Sequence, residues 1–61
     1  EIYPNPADQY IHINYDGLKE IYTILGEKVL MTYENNINVS NLSKGVYLIK
    51  VKNTNMHLIK N

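Results

Sequence analysis

The sequence contains no cysteine, no phenylalanine and no tryptophan. Its 61 residues therefore cannot be held together by a disulfide, although chains of fewer than about 70–80 residues often need a disulfide, a metal or a partner. The formal net charge is zero, which argues against nucleic-acid binding, because that binding requires a basic face. No apolar run approaches the roughly 20 residues that span a bilayer, so we expect no direct insertion into a membrane.

Alanine occurs once, which disfavours helices, whereas residues that favour a pleated surface are abundant. There are eight isoleucines, four valines, six tyrosines and three threonines. Nine asparagines, three glycines and two prolines supply turns between strands. Tyrosine is the sole aromatic residue, and a buried tyrosine needs a partner for its hydroxyl. We therefore expect the tyrosines to lie near strand ends or at the surface.

Apolar residues alternate with polar ones along most of the chain, as in half-buried strands. Within three of these strands, the residues expected to share a face are Ile11 and Ile13; Val29, Met31 and Tyr33; and Tyr47, Ile49 and Val51. The pattern predicts strands at residues 10–15, 19–25, 28–33, 37–39, 46–52 and 56–60, after a rigid extended opening, and a core plug at Leu42. Six to seven short strands separated by turns predict an all-β fold, a small antiparallel β-sandwich (Ig-like) that forms one domain over residues 1–61.

Side chains that could carry chemistry are few. His12 and His57 are the only histidines, and Ser40 and Ser43 the only serines. Neither serine lies in a nucleophile-elbow sequence, and we expect a sandwich this small to have no cleft of the usual ligand size. Residues 14–17 resemble part of a calcium loop but lack its other oxygen ligands and closing glutamate, so we interpret them as a β-turn. The sequence therefore assigns no catalytic residue, metal site or cofactor.

Four segments in order resemble the type A C-terminal sorting domain of the type IX (Por) secretion system of Bacteroidota. They are residues 3–7 (Tyr-Pro-Asn-Pro-Ala), the strand–turn–strand at 21–29, the diagnostic stretch at 37–51 and the basic, aliphatic end at 58–60. The chain differs from the family at Ser43, where proline is frequent, and at 53–55, where the family often has a glycine. The positions that carry the motif are Tyr3, Pro4, Asn5, Pro6 and Gly26.

The resemblance implies a module that ends secreted enzymes and adhesins and has no turnover of its own. Its partners would be an N-terminal cargo domain and the type IX secretion machinery, namely an outer-membrane translocon or shuttle and a sortase-like protease. The protein would pass through the periplasm and then be secreted or held at the cell surface. We expect the last strand to be an edge open to strand addition by a receptor, with Lys60 exposed. The recognition candidates are Gly45, Tyr47, Ile49, Leu58, Ile59 and Lys60.

Two other classes of function remain open from the sequence. A non-catalytic accessory module of a secreted enzyme, which binds carbohydrate or protein, would need an exposed aromatic platform. Tyr10, Tyr15 and Tyr33 could supply that platform if they were coplanar and exposed. A free-standing enzyme or inhibitor is the third class. The sequence upstream of this module would discriminate between the classes, because a catalytic domain joined by a linker would identify the chain as a tail.

Overall fold

The computed structural model describes residues 2–61. Over this range the chain forms strands and contains no helix. None of it could therefore cross a membrane as an apolar helix. The strands are β1 (Ile2–Tyr3), β2 (Tyr10–Ile13), β3 (Lys19–Thr23), β4 (Lys28–Thr32), β5 (Asn36–Asn38), β6 (Gly45–Val51) and β7 (Thr54–Lys60).

The strands form two antiparallel sheets, one in the order β1-β2-β5 and the other in the order β4-β3-β6-β7. This arrangement confirms the predicted all-β sandwich. The predicted alternation along the strands is confirmed. Ile11, Ile13 and Ile49 are buried between the sheets, while their neighbours in the strands are exposed or half-buried. Leu42 packs against this core as the predicted plug. The core residues are Ala7, Ile11, Ile13, Ile21, Ile37, Val39, Tyr47, Ile49, Val51 and Leu58.

The hairpin between β3 and β4 turns earlier than the sequence predicted. β3 ends at Thr23 instead of residue 25, because the Thr23 hydroxyl accepts hydrogen bonds from the backbone N–H groups of Leu25 and Glu27, at 3.3 and 3.2 Å. Gly26 donates to the Thr23 carbonyl at 2.9 Å and has a φ of 91°. Glycine populates this region at no steric cost, which explains its place in the motif.

The last hairpin also differs from the prediction. The expected turn at 53–55 is wrong, since Val51 pairs with Thr54 and only Lys52 and Asn53 lie between them. Lys52 has a φ of 57°, a left-handed conformation that is uncommon for a residue other than glycine or asparagine. The tight turn starts β7 two residues earlier than expected, at Thr54.

A buried lysine joins two loops at one end of the sandwich. Lys19 is 0% exposed, and its ammonium donates to the carbonyls of Gly17 and Tyr33 at 2.9 and 3.0 Å. The same nitrogen lies 5.8 Å from the centroid of the Tyr15 ring, a cation–π distance. Tyr15 in turn lies over Gly17, where an added Cβ would come within 2.3 Å of the ring. Lys19 thus links the β2–β3 connection to the chain beyond β4.

Candidate recognition surface

The N-terminal segment, residues 3–7, lies along the outer edge of β7. The Asn5 side-chain amide donates to the His57 carbonyl at 3.0 Å, and its carbonyl oxygen accepts from the Ile59 N–H at 3.0 Å. A single side chain therefore supplies both a donor and an acceptor to the strand, as a neighbouring backbone would. This contact gives the asparagine of the motif a physical role.

Backbone groups continue the same pairing towards the C-terminus. Ala7 donates to the Ile59 carbonyl and accepts from the Asn61 N–H, both at 2.8 Å, and forms a parallel bridge with Lys60. The prediction that β7 is an edge strand is confirmed, but the expectation that this edge is open to strand addition is wrong. From His57 to Asn61 its outward-facing groups are largely occupied by the chain's own N-terminal segment.

Replacing Asn5 with alanine should loosen both ends of the chain together. The variant loses two hydrogen bonds at an exposed site, so we expect Asn5→Ala to lower the free energy of unfolding by about 1–2 kcal/mol. Amide hydrogen exchange should quicken most at Ile59, whose N–H loses its acceptor. Asn55→Ala, an exposed asparagine of β7, is the matched control and should change stability by less than about 0.5 kcal/mol. Unchanged exchange at Ile59 in Asn5→Ala would contradict this account.

The structure buries four of the six recognition candidates. Tyr47, Ile49 and Leu58 face the core, and Lys60 is only 8% exposed, because its ammonium turns back to the Asn61 carbonyl at 3.0 Å. The expectation that Lys60 is exposed is therefore wrong. A receptor that binds the folded domain cannot reach these side chains.

Gly45 and Ile59 are the two recognition candidates that the structure leaves exposed. Ile59 is 46% exposed and pairs with Val46 across β6 and β7, so the two side chains share the outer face of the four-stranded sheet. Sequence reasoning missed Val46, although its position one residue before Tyr47 placed it on the opposite face of β6. Together the three residues form a small apolar surface, the β6–β7 patch, next to the covered edge.

The local fold around this patch depends on Tyr47 and Gly45. The buried Tyr47 ring places its hydroxyl 2.6 Å from the Ser43 carbonyl, to which it donates a hydrogen bond, as expected for a buried tyrosine. Gly45 begins β6 with a φ of 149°, which residues with a side chain rarely adopt. These two features set the direction in which the loop at 39–44 enters the strand.

The other edge of the four-stranded sheet is β4, which carries both apolar and charged exposed side chains. Val29 and Met31 are exposed, and Met31 lies opposite Glu20 of β3. The Lys28 ammonium lies 2.9 Å from a Glu20 carboxylate oxygen. This hydrogen bond lowers the pKa of Glu20 and raises that of Lys28. The pair is exposed enough that salt will screen it.

The residues considered for catalysis do not come together. His12 hydrogen-bonds Asn36 at 2.7 Å and lies against Tyr3, whereas His57 is exposed on β7. A shallow groove of about 490 Å³ opens beside β4, so the expectation that no cleft reaches ligand size is wrong. Neither histidine lines this groove. No group of three or more possible metal ligands occurs within residues 2–61.

The three tyrosines proposed as an aromatic platform belong to different parts of the sandwich. Tyr10 is exposed on β2 of the three-stranded sheet, and Tyr33 is exposed just beyond β4 of the four-stranded sheet. Tyr15 is half-buried against the core. Carbohydrate recognition by stacking requires exposed rings on one surface, and this arrangement does not supply one.

Comparison with known proteins identifies the family of this chain. No curated protein and no solved structure matches the chain. A family described as the secretion system C-terminal sorting domain matches residues 1–61, the whole sequence. The chain therefore belongs to the C-terminal sorting domains of the type IX secretion system.

Proposed function

We propose that this chain is the tail of a larger secreted protein and directs an N-terminal cargo through the outer membrane. The single observation that carries the proposal is the family match over the whole sequence. The partners implied by the family are the type IX secretion machinery and the cargo. In this proposal the outer-membrane translocon or shuttle binds the folded tail after periplasmic transit. A sortase-like protease then removes the tail, and the cargo is anchored at the surface or released.

The geometry supports a signal that is read as a folded unit. The segment that would follow the cargo is hydrogen-bonded to the last strand through Asn5 and Ala7. The hydrogen bonds of Asn5 thereby join two ends of the domain that are 52 to 54 residues apart in sequence, at the edge of the sheet formed by β7. A truncated or unfolded tail would lack this arrangement, so the machinery could discriminate complete cargo from incomplete cargo.

The same contacts suggest where the protease acts. Ile2 and Tyr3 pair with Ile13 and His12 as strand β1, and the segment at 4–7 is held to β7. Proteases prefer exposed segments without regular pairing. We therefore place the cut on the N-terminal side of β1, so that the motif Tyr3–Ala7 stays with the released tail.

The β6–β7 patch is the proposed contact surface for the machinery. Its members Gly45, Val46 and Ile59 are exposed and adjacent, whereas the other recognition candidates lie inside. The buried candidates would then act indirectly, by holding the patch in shape.

Export of an unrelated cargo tests this proposal. Residues 1–61 are fused behind a signal peptide and a fluorescent protein in a host that carries the secretion machinery. We expect fluorescence in the medium or on the cell surface. Deletion of residues 56–61 should trap the fusion in the periplasm, but it also removes Leu58 from the core. The sharper variant is Ile59→Lys, which places a charge on the patch and should reduce export several-fold with little change in melting temperature.

Lys50→Ala is the matched control, because Lys50 is exposed on β6 outside the patch. It should leave export unchanged. Retention of the unmodified fusion in cells that secrete their native substrates normally would refute the sorting function and favour an accessory module. Normal export of the fusion that carries Ile59→Lys would instead show that the β6–β7 patch is not the contact surface, and the sorting function would stand.

A further inference from the structure

The turn between β3 and β4 exposes two adjoining aliphatic side chains. Leu25 is 92% and Ile24 is 69% exposed, although glycine, proline, asparagine, aspartate and serine are the usual residues of a turn. Single apolar residues on a surface are normal, whereas adjoining ones mark interaction sites. We call residues 24–27 the hairpin tip. Its two aliphatic side chains indicate a contact that is made outside the chain.

The backbone of the hairpin tip is already hydrogen-bonded. The N–H groups of Leu25 and Glu27 donate to the Thr23 hydroxyl, and the N–H of Gly26 donates to the Thr23 carbonyl. A segment that is fixed before binding loses little conformational freedom when it binds. Because three consecutive donors are occupied, a partner has to supply apolar surface for the side chains and few hydrogen bonds for the backbone.

The hairpin tip and the β6–β7 patch lie at the same end of the four-stranded sheet. Thr23, the last residue of β3, pairs with Tyr47 near the start of β6. Gly45, which begins β6, pairs with Lys60, the last residue of β7. The large apolar residues exposed at this end are Ile24, Leu25, Val46 and Ile59.

The junction with the cargo lies at the opposite end of the sandwich. Ile2 pairs with Ile13. Ile13 lines a shallow cavity together with Val51 and Thr54, which pair where β6 turns into β7. β6 is seven residues long, so the two ends of the sheet are roughly 20 Å apart at about 3.3 Å per residue. A cargo attached before residue 1 therefore leaves the hairpin tip uncovered.

We propose that the hairpin tip is a docking knob that enters an apolar pocket in a protein of the secretion machinery, with the β6–β7 patch against the rim of that pocket. This inference rests on the proposed sorting function and adds the chemistry of the partner. Ile24 and Leu25 fill the pocket, and the exposed Glu27 favours a lysine or arginine at its rim. Lys28 does not neutralise Glu27, because its ammonium lies 2.9 Å from Glu20.

A protein pocket explains the hairpin tip better than a lipid surface does. Insertion of a small apolar segment into a membrane interface is normally strengthened by lysine or arginine that faces anionic lipids. The formal net charge of this chain is zero, and the charged residue within the tip is the acidic Glu27. Binding to lipid vesicles or to a second copy would therefore count against the proposal.

The variant Leu25→Asn in the fluorescent fusion tests the docking knob. We expect export to fall at least about fivefold, with little change in melting temperature because the Leu25 side chain is almost fully exposed. Tyr33→Asn is the matched control. Tyr33 is 72% exposed and follows β4 at the cargo end of the sheet, where its carbonyl accepts from Lys19. This variant should leave export unchanged.

Competition by the domain without cargo separates recognition from folding. The 61-residue chain, produced in excess in the periplasm of the same cells, should occupy the pocket and lower export of the unmodified fusion. The chain with Leu25→Asn should not compete, whereas the chain with Tyr33→Asn should compete as well as the unmodified one. Because the pocket rim is basic in this proposal, Glu27→Lys should weaken competition more than Glu27→Gln does.

Normal export of the fusion with Leu25→Asn, or full competition by the chain with that substitution, would overturn the proposal. The tip would serve lipid if vesicles of phosphatidylethanolamine and phosphatidylglycerol bound the unmodified chain but not Leu25→Asn. It would serve a second copy if the chain formed a dimer below about 1 mM that Leu25→Asn dissociated. Either result would also overturn the proposal, and the sorting function would stand. Retention of the unmodified fusion would instead refute the sorting function itself.

Discussion

Replacing Lys19 with alanine is expected to lower the free energy of unfolding by about 3 kcal/mol. The fully buried side chain fills space between the sheets and donates to the carbonyls of Gly17 and Tyr33. Alanine leaves a cavity where the four-carbon stem packs and removes both donors. For a chain of this size that loss should lower the melting temperature by roughly 10–20 °C, which thermal denaturation followed by circular dichroism would measure.

Lys19→Met is the matched variant that separates packing from hydrogen bonding. Methionine keeps most of the stem volume, loses the two hydrogen bonds and removes a charge that is costly to bury. The lost hydrogen bonds destabilise the fold, whereas removal of the buried charge stabilises it. We therefore expect the free energy of unfolding to fall by only about 1 kcal/mol. If Lys19→Met were as destabilising as Lys19→Ala, the hydrogen bonds to the two loops would be the dominant contribution, and the packing explanation would be wrong.

Gly45→Val should destabilise the domain by about 1–3 kcal/mol through backbone strain. An added Cβ at Gly45 meets no atom within 4 Å, so steric contact with neighbours contributes nothing to this cost. The cost comes from the φ of 149° at Gly45. A β-branched residue there must either adopt an unfavourable backbone conformation or move the start of β6. Movement there would displace the Tyr47 hydroxyl from the Ser43 carbonyl.

Chemical denaturation of Gly45→Val against Lys44→Ala would measure this strain. Lys44 is the exposed neighbour in the same loop, and its truncation should change stability by less than about 0.5 kcal/mol. Gly45→Ala should fall between the two, since alanine is less restricted than valine. Equal stability of Gly45→Val and the unmodified chain would show that the strand can start with an ordinary residue.

Local sequence patterns were sufficient to predict where the strands lie and which residues form most of the core. The period of two in residues such as Ile11 and Ile13 depends only on the geometry of one strand and on the hydrophobic effect. The same reasoning placed Tyr47, Ile49 and Val51 on one buried face. Strand ends were predicted less well, because the Thr23 hydroxyl and the left-handed Lys52 decide the turns through specific local contacts.

The sequence by itself determined the fold class, the residues that share a buried face of β2 and of β6, and the family motif. Only the tertiary structure decided which edge is free and which recognition candidates are exposed. Asn5 meets His57 and Ile59 across more than 50 residues of chain, and no local pattern encodes so distant a contact. Lys19 and Lys60 look like surface residues in sequence, yet both are buried. A long polar side chain can be enclosed when its ammonium finds carbonyl acceptors, and for Lys19 the Tyr33 carbonyl reaches the ammonium from beyond β4 only in the folded chain.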